Sequence, residues 1–362
     1  MQADSGTISD GGTRDVHRVL LQTIIVVLLA LLTSCTTLPD LAELQTPRYQ
    51  TGGTKGAAYC GNCHPDTHEQ WSKHSRHAKA TKSPAFQRAL AEIRENIVLG
   101  SFMNEEMCYT CHGDKKRNEG INCESCHGPV LPGVPIEVTH EKKYTPRLVE
   151  MRKPDFCSRC HQVKMPFTNE PLTTLHDEWK QSPAAKKGLT CQSCHMKKGE
   201  DDNYAFHGFK SAVRNAFLYK NKLRISKIAL NSKRVRLQLE NRVTGHSIPA
   251  SGPNRVLALE MELRDKRGRV VHRDHQRFFK HFSMLPGVGG VPFLLMDNSQ
   301  LRSGAKRRVR FSLPAGVYDR SRKLTLKLRM YEVADKYEGK LAKAHWVSKP
   351  IIEKNLAIQH RK

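Results

Sequence analysis

Beyond Cys194 the chain contains no cysteine, so its last 168 residues can hold no disulfide and no thiolate-bound metal. The same stretch is poor in acid. Residues 211–362 carry 11 Asp and Glu against 34 Lys and Arg, whereas residues 1–210 carry 24 against 26. No apolar run reaches the roughly 20 residues that a membrane-spanning helix needs, which excludes a polytopic membrane protein. The second half also lacks paired carboxylates at useful spacing, a nucleophile elbow and a Gly-rich phosphate loop, which sets aside the common hydrolase and nucleotide chemistries there. What is present is a chain of 362 residues, 38% of them hydrophobic, long enough for two folded domains with cores of their own. All 11 cysteines lie in the first half, and almost all of the net charge of +25 lies in the second.

The start of the chain sets a compartment. Arg14, His17 and Arg18 precede an apolar stretch from Val19 to Leu32, broken only by Gln22 and Thr23 and followed by Thr33 and Ser34. This is the layout of a signal peptide. Fourteen helical residues span about 21 Å, short of the roughly 30 Å hydrocarbon core. Leu32-Thr33-Ser34-Cys35 resembles the lipobox of bacterial lipoproteins, which implies cleavage before Cys35 and lipid modification of that residue. By the same resemblance Thr36, rather than an Asp, directs the protein to the outer membrane of a Gram-negative cell envelope, facing the periplasm or the cell surface. The segmentation is therefore a signal peptide over 1–34, a polar tether over 35–56, a cysteine-rich domain over 57–210 and a basic domain over 211–362.

The other ten cysteines form five C-x-x-C pairs, each followed at once by histidine: Cys60, Cys63 and His64; Cys108, Cys111 and His112; Cys123, Cys126 and His127; Cys157, Cys160 and His161; Cys191, Cys194 and His195. Zinc sites and disulfides also use paired cysteines, but neither requires the histidine. At the 18 histidines of this chain, chance places one after all five pairs only a few times in about ten million. The spacing suits haem c: two thiols add to the two vinyl groups and the next residue supplies the proximal imidazole. Five covalently bound haem c groups are expected, adding about ten negative charges from their propionates to a nearly neutral half. Between Cys60 and Lys210 long amphipathic helices are few, so the porphyrins are expected to supply apolar surface that the protein lacks. Motifs two and three, only 11 positions apart, are expected to carry neighbouring haems.

The segment from Tyr59, YCGNCHPDTHEQWSKHSRHAKA, resembles the first haem unit of a multihaem superfamily that includes the nitrifiers' tetrahaem cytochrome, hydroxylamine oxidoreductase and octahaem tetrathionate reductase. Trp71, Ser75 and His77-Ala78 carry the resemblance, which implies that His77, ahead of His74 or His68, ligates a haem. SCHGP at Ser125 with His140 downstream, and TTLHDEWKQS leading to CQSCHM at Cys191, resemble further units and imply His140 and His176 as ligands, although no histidine follows Trp179 as His77 follows Trp71. HGFK at His207 is similar to an H-x-F-x-G ligand segment without its final Gly, and GHSIP at His246 to a G-H-x-x-P element that reaches back from a following β domain. Together these give every haem two histidines. Met103, Met107, Met165 and Met196 are rival ligands.

From Lys222 the pattern turns to period two: Val235, Leu237 and Leu239; Leu257, Leu259, Met261 and Leu263; Val309, Phe311 and Leu313; Leu324, Leu326, Leu328 and Met330. These predict half-buried antiparallel strands, with a turn at Asp265 to Gly268. The expected fold class is a mostly irregular and α multihaem cytochrome c domain followed by an all-β immunoglobulin-like sandwich. The expected function is electron transfer between redox partner proteins, a periplasmic donor and a terminal acceptor, with membrane association through the lipid anchor and no nucleic acid. The alternative is a multihaem oxidoreductase acting on a small nitrogen or sulfur compound at an open haem; against it, no C-x-x-C-K motif is present.

Overall fold

A computed structural model describes residues 55–96, 100, 105–128, 150–165, 168–197, 205–209, 219, 221–250, 252, 254–284, 292–333 and 340–360. The signal peptide, most of the tether, Cys35, Met103 and His140 lie outside the described residues. All described residues fall in one compact unit, Tyr49–Lys362. Among them no helix is long and apolar enough to cross a membrane.

The first half is built of short helices, several of them ending in a C-x-x-C-H motif. They are α1 (Ala57–Gly61), α2 (Pro65–Glu69), α3 (Pro84–Glu95), α4 (Glu105–His112), α5 (Cys123–His127), α6 (Pro154–His161), α7 (Leu175–Lys180), α8 (Pro183–Lys186) and α9 (Cys191–His195). Positions i, i+3 and i+4 share one helix face, so a single turn points both thiols and the imidazole the same way. Local signals fix where these turns start. Asn122 and Ser125 form a reciprocal capping box on α5, Thr190 caps α9 by accepting from the Ser193 amide, and Pro84, Pro154 and Pro183 occupy first-turn positions. Motif one differs: α1 stops at Gly61, and His64 stands at the start of α2. A two-stranded hairpin, β1 (Gln162–Lys164) with β2 (Pro171–Thr174), follows motif four.

The second half is a β-sandwich. One sheet orders β3 (Leu223–Leu230), β4 (Arg234–Asn241) and β9 (Lys306–Ser312). The other orders β11 (Ala344–Val347), β10 (Lys323–Val333), β5 (Arg255–Arg264) and β6 (Val270–Phe278), with β12 (Ile352–Ala357) pairing the first part of β10. Every pairing is antiparallel. The period-two residues expected from the sequence form the core: Val235, Leu237 and Leu239 of one sheet face Leu257, Leu259, Met261, Leu324, Leu326 and Leu328 of the other, and all are buried. Each such side chain contributes about 1.5–3 kcal/mol by leaving water. Basic residues take the outward positions, as on β9, where Val309 and Phe311 are buried and Lys306, Arg307, Arg308 and Arg310 are exposed. Asp265 to Gly268 forms the expected turn, with Gly268 at φ 77°, a region that favours glycine. A further hairpin, β7 (Lys280–Met284) with β8 (Pro292–Asn298), has no counterpart in the sequence reading.

Candidate haem-binding site

The structure brings three motif histidines face to face with three of the histidines singled out in the sequence. Ring centres are 6.1 Å apart for His77 and His161, 6.1 Å for His127 and His207, and 6.2 Å for His195 and His246. The last two pairs are nearly parallel, at 26° and 19°, and the first is inclined at 54°. Two metal–nitrogen bonds of about 2 Å, plus roughly 1 Å from each nitrogen to its ring centre, place a metal's two axial imidazoles about 6 Å apart. The spacing therefore fits one iron between each pair. His77 thus faces the histidine of motif four, His207 that of motif three and His246 that of motif five.

The rings are prepared for this role. The Nδ1 of His207 lies 2.7 Å from the Ala205 carbonyl, and the Nδ1 of His246 lies 2.9 Å from the Ser247 carbonyl. A donor at Nδ1 leaves the Nε2 lone pair for a metal. Burial, reinforced by the neighbouring imidazoles, pushes His77 down to about 3 and His161 to about 4. Burial also lowers His207 and His246. His77 and His161 are thus neutral at physiological pH, the form in which an imidazole can ligate a metal.

Conserving the spacing of each motif does not fix which motifs meet. The thiol of Cys60 hydrogen-bonds with that of Cys123, Cys157 with Cys191, and Cys111 with Cys160. A cysteine of motif three thus meets one of motif one, 63 positions earlier in the chain. The reason is a tight reversal: Asp114 and Glu119 bridge, and the Ile121 amide then donates to the His77 carbonyl. Gly120 permits this close approach, since a Cβ there would stand 1.9 Å from that carbonyl oxygen. The shared thiol hydrogen bonds, and then burial, push Cys123, Cys157 and Cys160 well above the usual thiol range.

The two tryptophans of the resemblance hold equivalent places. Trp71 donates to the Ile121 carbonyl at 2.8 Å and Trp179 to the Leu189 carbonyl at 2.7 Å, in each case two residues before a motif cysteine. Ser75 accepts from the His77 amide, and Ser182 from those of Ala184 and Ala185. Two residues after the serine, His77 in the first unit thus corresponds to Ala184 in the second. The Thr244 carbonyl accepts from the Ala184 amide, which lays the loop bearing His246 on that spot.

His176 stands outside the three pairs. It is buried, stacks 5.6 Å from Trp179, and its Nε2 lies 3.4 Å from Asp155. His68 packs on Gly61 within motif one, and Phe86 stacks on His112 at 4.4 Å. Met165 is buried, in keeping with a packing role.

Sequence reasoning missed the residues that present His246. Buried Asn241 donates to the carbonyls of Leu301 and Arg302, and its Oδ1 accepts from the Val243 amide. Glu178 accepts from the Ser247 amide at 2.7 Å. The last tether residues are also tied down, since the amides of Lys55 and Gly56 donate to Glu124 in motif three. An Asn at the end of a strand is the sort of signal that marks a pinned turn, but its partners are 60 residues away.

The fold and these pairs define an architecture: short helices that carry C-x-x-C-H motifs, with paired histidines between them, followed by a β-sandwich. Residues 59–128 match the family model for cytochrome c554 and c-prime. The chain shares the fold of a penta-heme cytochrome c552 from Thermochromatium tepidum, with a TM-score of 0.57 and 19% identity, over 84% of this chain and 99% of that one. A match to the beta-glucuronidase of Bacteroides uniformis, at a TM-score of 0.18 and 12% identity over 38% of this chain and 13% of that one, is too slight to bear on the fold. No curated protein matches. The cysteine and histidine geometry fits covalent haem c, and when bound the haem supplies an iron that takes up and releases one electron.

Proposed function

We propose that the protein is a pentahaem c-type cytochrome that transfers electrons between redox proteins, anchored by a lipid on Cys35 in a Gram-negative cell envelope. The observation that carries this reading is the set of three histidine pairs at 6.1–6.2 Å, each of which would hold one haem iron from both sides. A closed iron exchanges electrons without binding substrate. The thiol contacts join motif one to three, and motif four to both two and five, and Cys126 of motif three is near enough to Cys157 and Cys160 of motif four to act on them, which supports one array of closely spaced carriers. His140 and His176 are the ligands proposed for the remaining haems of motifs one and two. The strand orders β3-β4-β9 and β11-β10-β5-β6 support an immunoglobulin-like topology, with the domain boundary near residue 210.

An acidic redox partner suits the basic sheet. Arg236 of β4 and Arg310 of β9 are exposed and directly opposite, an arrangement that costs up to about 1 kcal/mol in isolation and favours an anionic partner surface. The test of the function is electron paramagnetic resonance of the oxidised protein, alongside a pyridine haemochrome count. Five thioether-bound haems, all low-spin, support transfer; a stoichiometric high-spin signal means an open haem and favours the oxidoreductase reading. Loss of membrane association in Cys35→Ala, with haem content intact, tests the anchor.

A further inference from the structure

Arg255 opens β5 directly opposite Glu332 of β10. Glu332 is 1% exposed, yet its carboxylate is taken mainly by the haem-binding half: Arg76 Nη2 lies 2.6 Å from Oε1, while Arg255 Nε stands 3.9 Å from the same oxygen. His345 Nε2 lies 3.4 Å from Oε2. One carboxylate thus faces two guanidinium groups and an imidazole, which among the described residues leaves at least one positive charge in excess. Arg255 Nη1 donates to the Ala250 carbonyl at 3.2 Å, but its Nε is buried with no hydrogen-bond partner among the described residues. A buried cationic donor without an acceptor costs more than any surface charge. Tyr219, buried nearby and pushed up to about 12 chiefly by burial, stays neutral and offers no charge.

The surroundings indicate what the excess charge serves. Arg76, which shares the Glu332 carboxylate with Arg255, is the chain neighbour of His77, whose ring lies 6.1 Å from that of His161. The Arg255–Glu332–Arg76 cluster therefore adjoins the pair that faces motif four. The anion that a haem c brings to such a place is a propionate, whose carboxylate matches the guanidinium fork.

We propose that Arg255 binds a propionate of the haem carried by motif four, and that this contact fastens the β-sandwich to the haem-binding half and raises that haem's reduction potential. The inference rests on the haem reading. Positive charge beside the iron favours the reduced state, which carries one positive charge fewer.

The test uses mature protein with its haems attached, compared with Arg255→Gln and Arg255→Lys by resonance Raman spectroscopy and potentiometric titration. In Arg255→Gln the propionate bending band of one haem shifts, and that haem accepts its electron about tenfold less favourably, about 59 mV lower. Arg255→Lys, which keeps the charge, recovers most of the potential. Glu332→Gln, which removes the competing carboxylate, moves the same band the opposite way, and it carries the test if Arg255→Gln does not accumulate. A propionate band that stays put in every variant overturns the contact, even if the potential moves, because charge then acts only through space. Wild-type protein without thioether-bound haem removes the haem reading instead, which a pyridine haemochrome assay shows before any variant is made.

Discussion

Between Leu223 and Ile358 the protein builds its own interior, two sheets closing on one continuous set of buried aliphatic and aromatic side chains. Between Lys55 and Phe209 the described apolar cluster is Phe86, Leu90 and Tyr109 with Cys108 packed against them. The two regions are similar in length and very different in what holds them. A chain segment that buries so little apolar area cannot offset the cost of ordering its backbone, about 1–2 kcal/mol per residue. Its short helices therefore depend on surface that the sequence does not encode as side chains. On the proposed reading, haem would bring that surface in through the cysteine motifs, and the histidine pairs would clamp it. The β-sandwich needs no such help, and it lends one of its residues, His246, to the other region.

This contrast breaks most visibly when haem attachment is prevented. Protein made without its haems should lose amide protection over residues 55–209 and keep it on β4, β5 and β10, as read by hydrogen exchange; equal protection in both regions would mean that the first half folds unaided. Next in size, Leu259→Ala should cost about 2–5 kcal/mol in denaturant unfolding of the sandwich, because Leu259 is fully buried between the sheets. The visible spectrum of the haems should be unchanged. Asn241→Ala should cost about 1–3 kcal/mol, since the carbonyls of Leu301 and Arg302 lose their donor inside the fold. Unlike Leu259→Ala, it should also loosen the turn that carries His246, seen as a change in the spectrum of one haem.

The smallest effect expected concerns a surface cluster. Arg94, then Lys115, hold Glu105 down to about 2. Its contribution is thus present above the ordinary glutamate value and is lost as pH falls through about 2. With Glu105 at the surface of α4, Glu105→Gln should cost at most about 1 kcal/mol at pH 7. The difference from wild type should vanish in acid-unfolding curves near pH 2.

Much of this was legible in the sequence, for reasons that differ between the regions. The C-x-x-C-H spacing dictates one helical turn, so Cys123–His127 and Cys191–His195 form helices of the motif alone. Alternation at Leu257, Leu259, Met261 and Leu263 dictates a strand with one face inward. His77, His207 and His246 were singled out through resemblance, but the motif histidines that they face were not legible. His77 meets His161 and His127 meets His207 because of tertiary folding, and no local spacing encodes a contact across some 80 residues. The same holds for Arg76 and Glu332, which unite the two halves through one short ion pair.

The account turns on His246 as the ligand that the β-sandwich gives to the haem of motif five. Its direct test is electron paramagnetic resonance of oxidised His246→Ala against wild type, with His272→Ala, a residue of β6, as control. The account predicts five haems in all three proteins, one converted from low to high spin and able to bind cyanide in His246→Ala, and none in His272→Ala. A fully low-spin His246→Ala with five haems would contradict it, leaving the β-sandwich as a neighbour of the haems and not a participant.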